Sequence, residues 1–250
     1  MDRIEFSSGL TTEQVQAHKG ASAVAPENTL AAFRAAYGQR ARWVEFDVSL
    51  LGDGTPVVIH DATVDRCSSS TGHLKDMTVA DLEKIDAGSW FDPFYKDERI
   101  PTLQQGLDCF AAFGLNGNLE IKHHKHQTSV AELTDGIFSV LQKRNPAVKI
   151  GISSFSIEAL KAMHKLDPSL ELAMLWDELP ENWRDVLAEI PTKVIHLNYK
   201  SLTFRLLEEA VREGLIIRAW TCNEPAVLQQ YWASGLAGVI TDEPRYFLSR

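Results

Sequence analysis

Two carboxylates separated by one phenylalanine, Glu45 and Asp47 in the run Trp43-Val44-Glu45-Phe46-Asp47-Val48, define the chemistry open to this chain. In an extended strand alternate side chains share a face, so Glu45 and Asp47 point one way while Val44, Phe46 and Val48 point the other. Like charges buried together are costly unless a cation or a proton offsets them. An edge strand with its acids in water is the plain alternative for a bare E-x-D, because unpaired charges are rarely buried. The residues in the rest of the chain favour the metal.

Glu120, in Leu119-Glu120-Ile121-Lys122, adds a third hard oxygen ligand from a neighbouring strand. Water and substrate would complete a shell around Mg²⁺ or Ca²⁺. His18 and His60 are imidazoles near the same place, and an unperturbed pKa of about 6.5 suits them to proton transfer at neutral pH. Lys19 and Lys122 could hold an anion. His123, His124 and His126, with Lys125, form a further cluster, but adjacent residues on a strand diverge and the three rings cannot simply converge on one ion. A solvated loop edge is the preferred reading there. The chain contains no G-x-x-x-x-G-K-[ST], H-E-x-x-H or G-x-S-x-G, and no G-x-G-x-x-G after a strand, which removes several common enzyme classes.

These side chains need strands to carry them. Val15 to His18 reads as the end of a first strand, and Pro26-Glu27-Asn28-Thr29 opens a helix carrying Leu30, Phe33 and Tyr37, with Gly38 as its stop. The Glu45 strand ends near Leu50, Gly52-Asp53-Gly54 turns, and Pro56 to Asp61 returns extended. Residues 62–101 are irregular, with a short helix capped at Thr78 and Asp81, and read as an insertion. A helix over Thr102 to Phe113 follows, and then strands near Leu119, Lys149 to Phe155, Leu170 to Trp176, Val194 to Tyr199, Leu215 to Trp220 and Gly238 to Thr241. The Val130 to Val140 stripe, Ile157 to Leu166, Glu181 to Ile190, Phe204 to Glu213 and Pro225 to Ala233 supply helices between them. Eight such strands favour a closed TIM-type (β/α)8 barrel over an open doubly wound sheet. His18, Glu45, Asp47, Glu120, Lys122, Ser153, Ser154, Asn198, Trp220 and Asp242 then collect at the C-terminal strand ends, and the strand cores elsewhere are read as apolar.

A length of 250 residues with 44% hydrophobic content fits one such barrel, and no linker divides residues 1–250, so a single domain is expected. The net charge of -9 argues against nucleic acid or an anionic membrane surface as partner. No apolar h-region opens the chain and nowhere do 18 apolar residues run together, so a soluble cytoplasmic protein without stable membrane association is expected. Cys67, Cys109 and Cys222 are too few and too scattered for a disulfide framework or a structural zinc site. No outer helix face carries a stripe demanding a partner, which leaves monomer or homodimer.

The ordered set His18-Lys19-Gly20 with Pro26-Glu27-Asn28-Thr29, Glu45-Phe46-Asp47, His60-Asp61 and Glu120-Ile121-Lys122 closely resembles the motifs of the glycerophosphodiester phosphodiesterases, particularly the soluble bacterial type. Ser153-Ser154-Phe155-Ser156, Ile195-His196-Leu197-Asn198, Trp220-Thr221-Cys222-Asn223 and Ile240-Thr241-Asp242 extend the similarity over about residues 15 to 244. The resemblance implies a TIM barrel with a small insertion after the second strand. It also implies a divalent cation on Glu45, Asp47 and Glu120, His18 and His60 as acid/base pair, Lys122 on phosphate, and Phe155 and Trp220 lining the pocket. Lys19 departs from the family, which usually has Arg after the first His. Lys keeps the charge but loses the planar bidentate fork.

The expected reaction is hydrolysis of glycerophosphocholine, glycerophosphoethanolamine or a similar diester to sn-glycerol 3-phosphate and an alcohol. One imidazole acts as base and the other as acid, with His60 preferred as base. Two alternatives stand beside it. Lysophospholipase D-like action on lipid diesters would use the aromatics Trp90, Phe91, Phe94 and Tyr95, whose plain role is packing the insertion. A barrel that binds glycerophosphodiesters without turnover has only Lys19 in its support.

Overall fold

In the computed structural model, which describes residues 9–124 and 129–248, the strands are β1 (Val15–His18), β2 (Trp43–Leu50), β3 (Pro56–Val58), β4 (Asn116–Ile121) and β5 (Ile150–Ser154). They continue as β6 (Glu171–Trp176), β7 (Val194–Asn198), β8 (Ile216–Trp220) and β9 (Leu236–Thr241). The helices are α1 (Leu30–Gly38), α2 (Val79–Leu82), α3 (Leu103–Phe113), α4 (Val130–Leu141), α5 (Ile157–Leu166), α6 (Trp183–Ala188), α7 (Phe204–Glu213) and α8 (Pro225–Leu228). Every strand but β3 is parallel to its neighbours, and β1 pairs with both β2 and β9. The sheet closes into the expected eight-stranded barrel with helices between its strands.

Alternation on β2 works as its sequence implies. Val44, Phe46 and Val48 are fully buried beneath the helices. Phe46 meets Phe33 of α1 and Phe110 of α3 at ring centroid distances of 6.0 and 5.1 Å, and burial of each ring contributes about 1.5 to 3 kcal/mol. Local signals define the helix ends. Thr29 caps α1, and capping boxes of Thr102 with Gln105 and Ser129 with Glu132 open α3 and α4. In the β1–α1 loop Gly20 has φ +86°, and a Cβ there would lie 2.6 Å from the Ala32 carbonyl carbon. Only glycine lets this loop lie flat on α1.

β3 runs antiparallel to β2, and the irregular segment after it holds α2, with the expected Thr78–Asp81 capping box, over a small core of Leu51, Val57, Val64, Leu74, Leu82 and Ile85. This segment leans on the start of the barrel. The Tyr95 hydroxyl donates to the Val24 carbonyl at 2.7 Å, and Arg34 of α1 pairs with Glu98 at 2.8 Å. Tyr95 also packs against buried Ala31 and Ala32, whereas Phe94 is 84% exposed.

Two expectations need correction. Polar residues are not confined to one pole: Gln16, Asn118, His196 and Arg218 line a hollow of about 170 Å³ at the N-terminal end of the barrel. Asn118 donates to Gln16 there at 2.9 Å, whereas His196 Nε2 and Arg218 Nε are buried without a hydrogen-bond partner among the described residues. Two of the last three expected helices, those over 181–190 and 225–233, are also shorter. Trp183 is the first helical residue of α6, because its N–H first turns back to Pro180, and α8 tightens into a 3₁₀ turn over Gln229–Ser234. Among the described residues, no helix is long and apolar enough to cross a membrane.

Candidate active site

At the C-terminal mouth a cavity of about 150 Å³ is lined by His18, Glu45, His60, Glu120, Lys122, Phe155 and Trp220 among others. It adjoins a wider cleft of about 730 Å³ that shares His60, Glu120, Lys122 and Phe155. His18 ends β1, Glu45 and Asp47 lie in β2, Glu120 is near the end of β4, and Trp220 ends β8. Lys122 and Phe155 sit one residue past β4 and β5, and His60 follows β3. The barrel thus gathers eight side chains from across the chain at one place.

Glu45, Asp47 and Glu120 are all buried, and each offers an oxygen within 4.8 Å of the others'. Asp47 Oδ1 is buried without a hydrogen-bond partner, 3.4 Å from Lys122 Nζ. Asp47 Oδ2 accepts from the Asn28 amide at 2.7 Å, and the Asp47 N–H donates back to Asn28 Oδ1 at 3.2 Å. Asn28 reaches this position from a left-handed backbone, φ 58°, which asparagine tolerates. Glu45 Oε2 accepts from the Lys19 N–H at 3.1 Å.

The charges are strongly linked. Burial, with repulsion from Asp47, pushes Glu120 up to about 7, and burial with both neighbours raises Glu45 well above the usual carboxylate range. For Asp47 burial pulls the same way, but Lys122 and Lys19 outweigh it and keep its pKa low. Lys122 bonds Glu120 at 2.5 Å, and the carboxylates raise its pKa against the pull of burial. A dry trio of oxygen donors with one orphaned atom fits a hard divalent cation well.

Each imidazole has its own carboxylate. His18 Nδ1 lies 2.7 Å from Asp242 Oδ1, and its Nε2 is 3.9 Å from Glu45. His60 Nδ1 lies 2.6 Å from Asp61 Oδ1. A carboxylate at Nδ1 places the proton there and leaves Nε2 for chemistry. Asp242 is held by Ser22 Oγ and by the Asn223 amide, both at 2.7 Å. Burial opposes its charge, yet the bonds to His18, Asn223 and Ser22 bring its pKa down to about 2. Asp61 also falls to about 2, held against burial by Arg66 and His60. Burial lowers the His60 pKa, more than Asp47 raises it, and the nearby Lys122 and Lys19 add to the lowering, which favours the neutral ring.

Lys19 does not line the inner cavity. Its ammonium donates to Glu27 at 3.0 Å, and its backbone is left-handed with φ 54°. Phe155 and Trp220 meet edge to face at 5.7 Å, with Lys122 Nζ 5.8 Å from the Phe155 ring centroid. The loop after β4 departs from its expected solvated form. His124 is half-buried, reaches Ser49 Oγ at 3.1 Å and lines the wider cleft with His123, because the chain there lies over β2. Lys125 and His126 lie outside the described residues.

Residues 18–246 match the model of the glycerophosphoryl diester phosphodiesterase family. The chain belongs to that family. It is 32% identical to a glycerophosphodiester phosphodiesterase of Caldanaerobacter subterraneus subsp. tengcongensis, over 94% of this chain and 96% of the relative. It is 30% identical to a Bacillus subtilis (strain 168) glycerophosphodiester phosphodiesterase, covering 92% and 84% of the two chains. The solved structure of an Oleispira antarctica phosphodiesterase in complex with the product sn-glycerol-3-phosphate superposes with a TM-score of 0.90 at 30% identity, over 94% of each chain. The protein is thus a glycerophosphodiester phosphodiesterase.

Several residues of this phosphodiesterase site escaped the reading of its sequence. Asp61 adjoins His60 but has no role of its own in that reading, and Asp242 stands among the polar strand ends with nothing in a linear pattern to tie it to His18. Asn28 carried one usable signal, an amide in a loop that must turn sharply. Glu27 and Arg66 carried none, since their bond joins residues 39 positions apart.

Proposed function

We propose that this phosphodiesterase hydrolyses small glycerophosphodiesters, such as glycerophosphocholine and glycerophosphoethanolamine, to sn-glycerol 3-phosphate and the free alcohol. The reading takes residues 1–250 as one catalytic domain with 62–101 as its insertion, and Mg²⁺ or Ca²⁺ as the required ion. Its main support is the pair of imidazoles, each bonded through Nδ1 to a carboxylate, beside a buried trio of acids.

Glu45, Asp47 and Glu120 would hold the cation, which supplies Lewis-acid charge to a phosphate oxygen and the glycerol 2-hydroxyl when bound. Lys122 neutralises the phosphate, and Phe155 and Trp220 wall the cavity. Lys19 adds positive charge from behind, through its place beside Glu27 and Glu45. His60 Nε2 takes the proton of the 2-hydroxyl as that oxygen bonds to phosphorus. His18 Nε2 gives a proton to the departing alkoxide as its bond to phosphorus breaks. A cyclic phosphate results, and the roles then reverse. His18 takes a proton from water as the water oxygen bonds to phosphorus, and His60 returns a proton to the 2-oxygen as its bond to phosphorus breaks.

The test is release of sn-glycerol 3-phosphate from both diesters with added Mg²⁺ or Ca²⁺, and again with excess chelator. Turnover that the chelator abolishes is expected. A folded protein that releases no product with any divalent cation would overturn the proposal. Exposed Trp90 and Phe94 support a lipid-diester reading, and preference for a lysolipid over the water-soluble diesters would establish that reading instead.

A further inference from the structure

Arg66 lies in the insertion, outside any helix or strand, and its guanidinium holds two carboxylates at once. Nη1 and Nη2 donate to the two oxygens of Glu27, each at 2.8 Å, and Nε and Nη2 donate to Asp61 at 2.7 and 3.2 Å. Each carboxylate makes a further bond on the active-site side. Glu27 Oε1 accepts from Lys19 Nζ at 3.0 Å, and Asp61 Oδ1 meets His60 Nδ1 at 2.6 Å. A continuous chain of charge-assisted hydrogen bonds therefore runs Lys19, Glu27, Arg66, Asp61, His60. It joins the β1–α1 loop to the segment following β3.

Only arginine has the donors for this place. Its planar fork can satisfy two carboxylates in fixed directions, whereas an ammonium would hold them loosely. With Arg66 absent, Glu27 and Asp61 would face one another as like charges and Asp61 would be free to rotate. Isolated exposed ion pairs contribute little to stability, and the Arg66 side chain is 48% exposed. Its value is therefore geometric. We propose that Arg66 is a positioning residue for the phosphodiester reaction: by clamping Asp61 and Glu27 it keeps His60 Nε2 directed at the cavity and Lys19 in place beside the metal-site carboxylates. The inference rests on the reading of His60 as a proton-transfer group.

The experiment compares the unsubstituted chain with Arg66→Ala and Arg66→Lys, using glycerophosphocholine turnover and the low-field proton resonance of the His60 Nδ1–H, assigned by its loss in His60→Gln. The corresponding His18 resonance, held by Asp242, is the internal control. In Arg66→Ala, kcat should fall about tenfold to a hundredfold, the cost of misplacing a reacting group by a fraction of an ångström, with a smaller change in KM. The His60 resonance should broaden while that of His18 stays. Guanidinium ion, well below denaturing concentration, should recover part of kcat in Arg66→Ala, and Arg66→Lys should recover less than the native residue supplies. A kcat within twofold of native with an unchanged His60 resonance would overturn the proposal. So would a loss of kcat that leaves the resonance intact and does not respond to guanidinium. If the unsubstituted chain releases no sn-glycerol 3-phosphate yet Arg66→Ala still broadens the resonance, the functional reading fails and the clamp stands.

Discussion

Asp47 and Glu120 are register partners on adjacent parallel strands, and the Lys122 ammonium lies 3.4 Å from the first and 2.5 Å from the second. Neighbouring positions on β2 and β4 thus bring two carboxylates to one face, and one cation offsets both. The pairing places the acids together before any ligand arrives.

Removing Lys122 should therefore expose the cost of that arrangement. With chelator present at pH 8, Lys122→Met should lose about 3 kcal/mol or more of unfolding free energy, because buried carboxylates are left without a counter-charge. Saturating divalent cation should restore most of the loss by binding the folded state alone. Urea unfolding with and without the ion checks this, and equal losses under both conditions would mean that no cation joins these carboxylates.

His18→Ala and His60→Ala should each lower kcat by at least about 10²-fold if they act as acid and base. Losses under tenfold for both would remove them from the mechanism. Burial lowers the His60 pKa below its ordinary 6.5, so its base form persists into mild acid. The acidic limb of kcat/KM should accordingly fall below that pH, and Lys122→Met, which removes a nearby positive charge, should move the limb upward.

Asp242 should stabilise the fold over a defined pH range. Its pKa is about 2 in the folded chain, against roughly 3.9 when unfolded, a difference corresponding to about 2 to 3 kcal/mol. The folded value is the depressed one, so the contribution is fully present above about pH 4 and is lost as pH falls toward about 2. Asp242→Asn should be less stable than native at pH 7 by up to that amount, and the two should converge near pH 2. A gap that persists unchanged at pH 2 would assign the effect to packing.

The strand carrying Glu45 and Asp47 was legible because a period of two puts both acids on one face, and Glu120 with the two imidazoles favoured a buried strand over an edge. Thr78 and Asp81 were legible for a similar local reason, since a capping box lies within four residues. The polar layer of Gln16, Asn118 and His196 was not, because each residue interrupts a different strand and only closure of the barrel brings Asn118 to Gln16. His124 was read as solvated because its Ser49 partner lies 75 positions away. The carboxylates behind the two imidazoles followed the same divide. Asp61 adjoins His60 in sequence, whereas Asp242 is 224 residues from His18.

That last separation has a bearing on the order in which the chain folds. β1 and β9 meet side by side at the seam of the barrel, and the His18–Asp242 bond crosses it. Contacts so distant along a chain are entropically expensive to form early in folding. A nascent polypeptide that has already paired β1 with β2 and built most of the helical shell still leaves His18 without its orienting partner until β9 has been synthesised and docked. The His18–Asp242 bond therefore forms only with closure of the seam, and partly folded chains lack it.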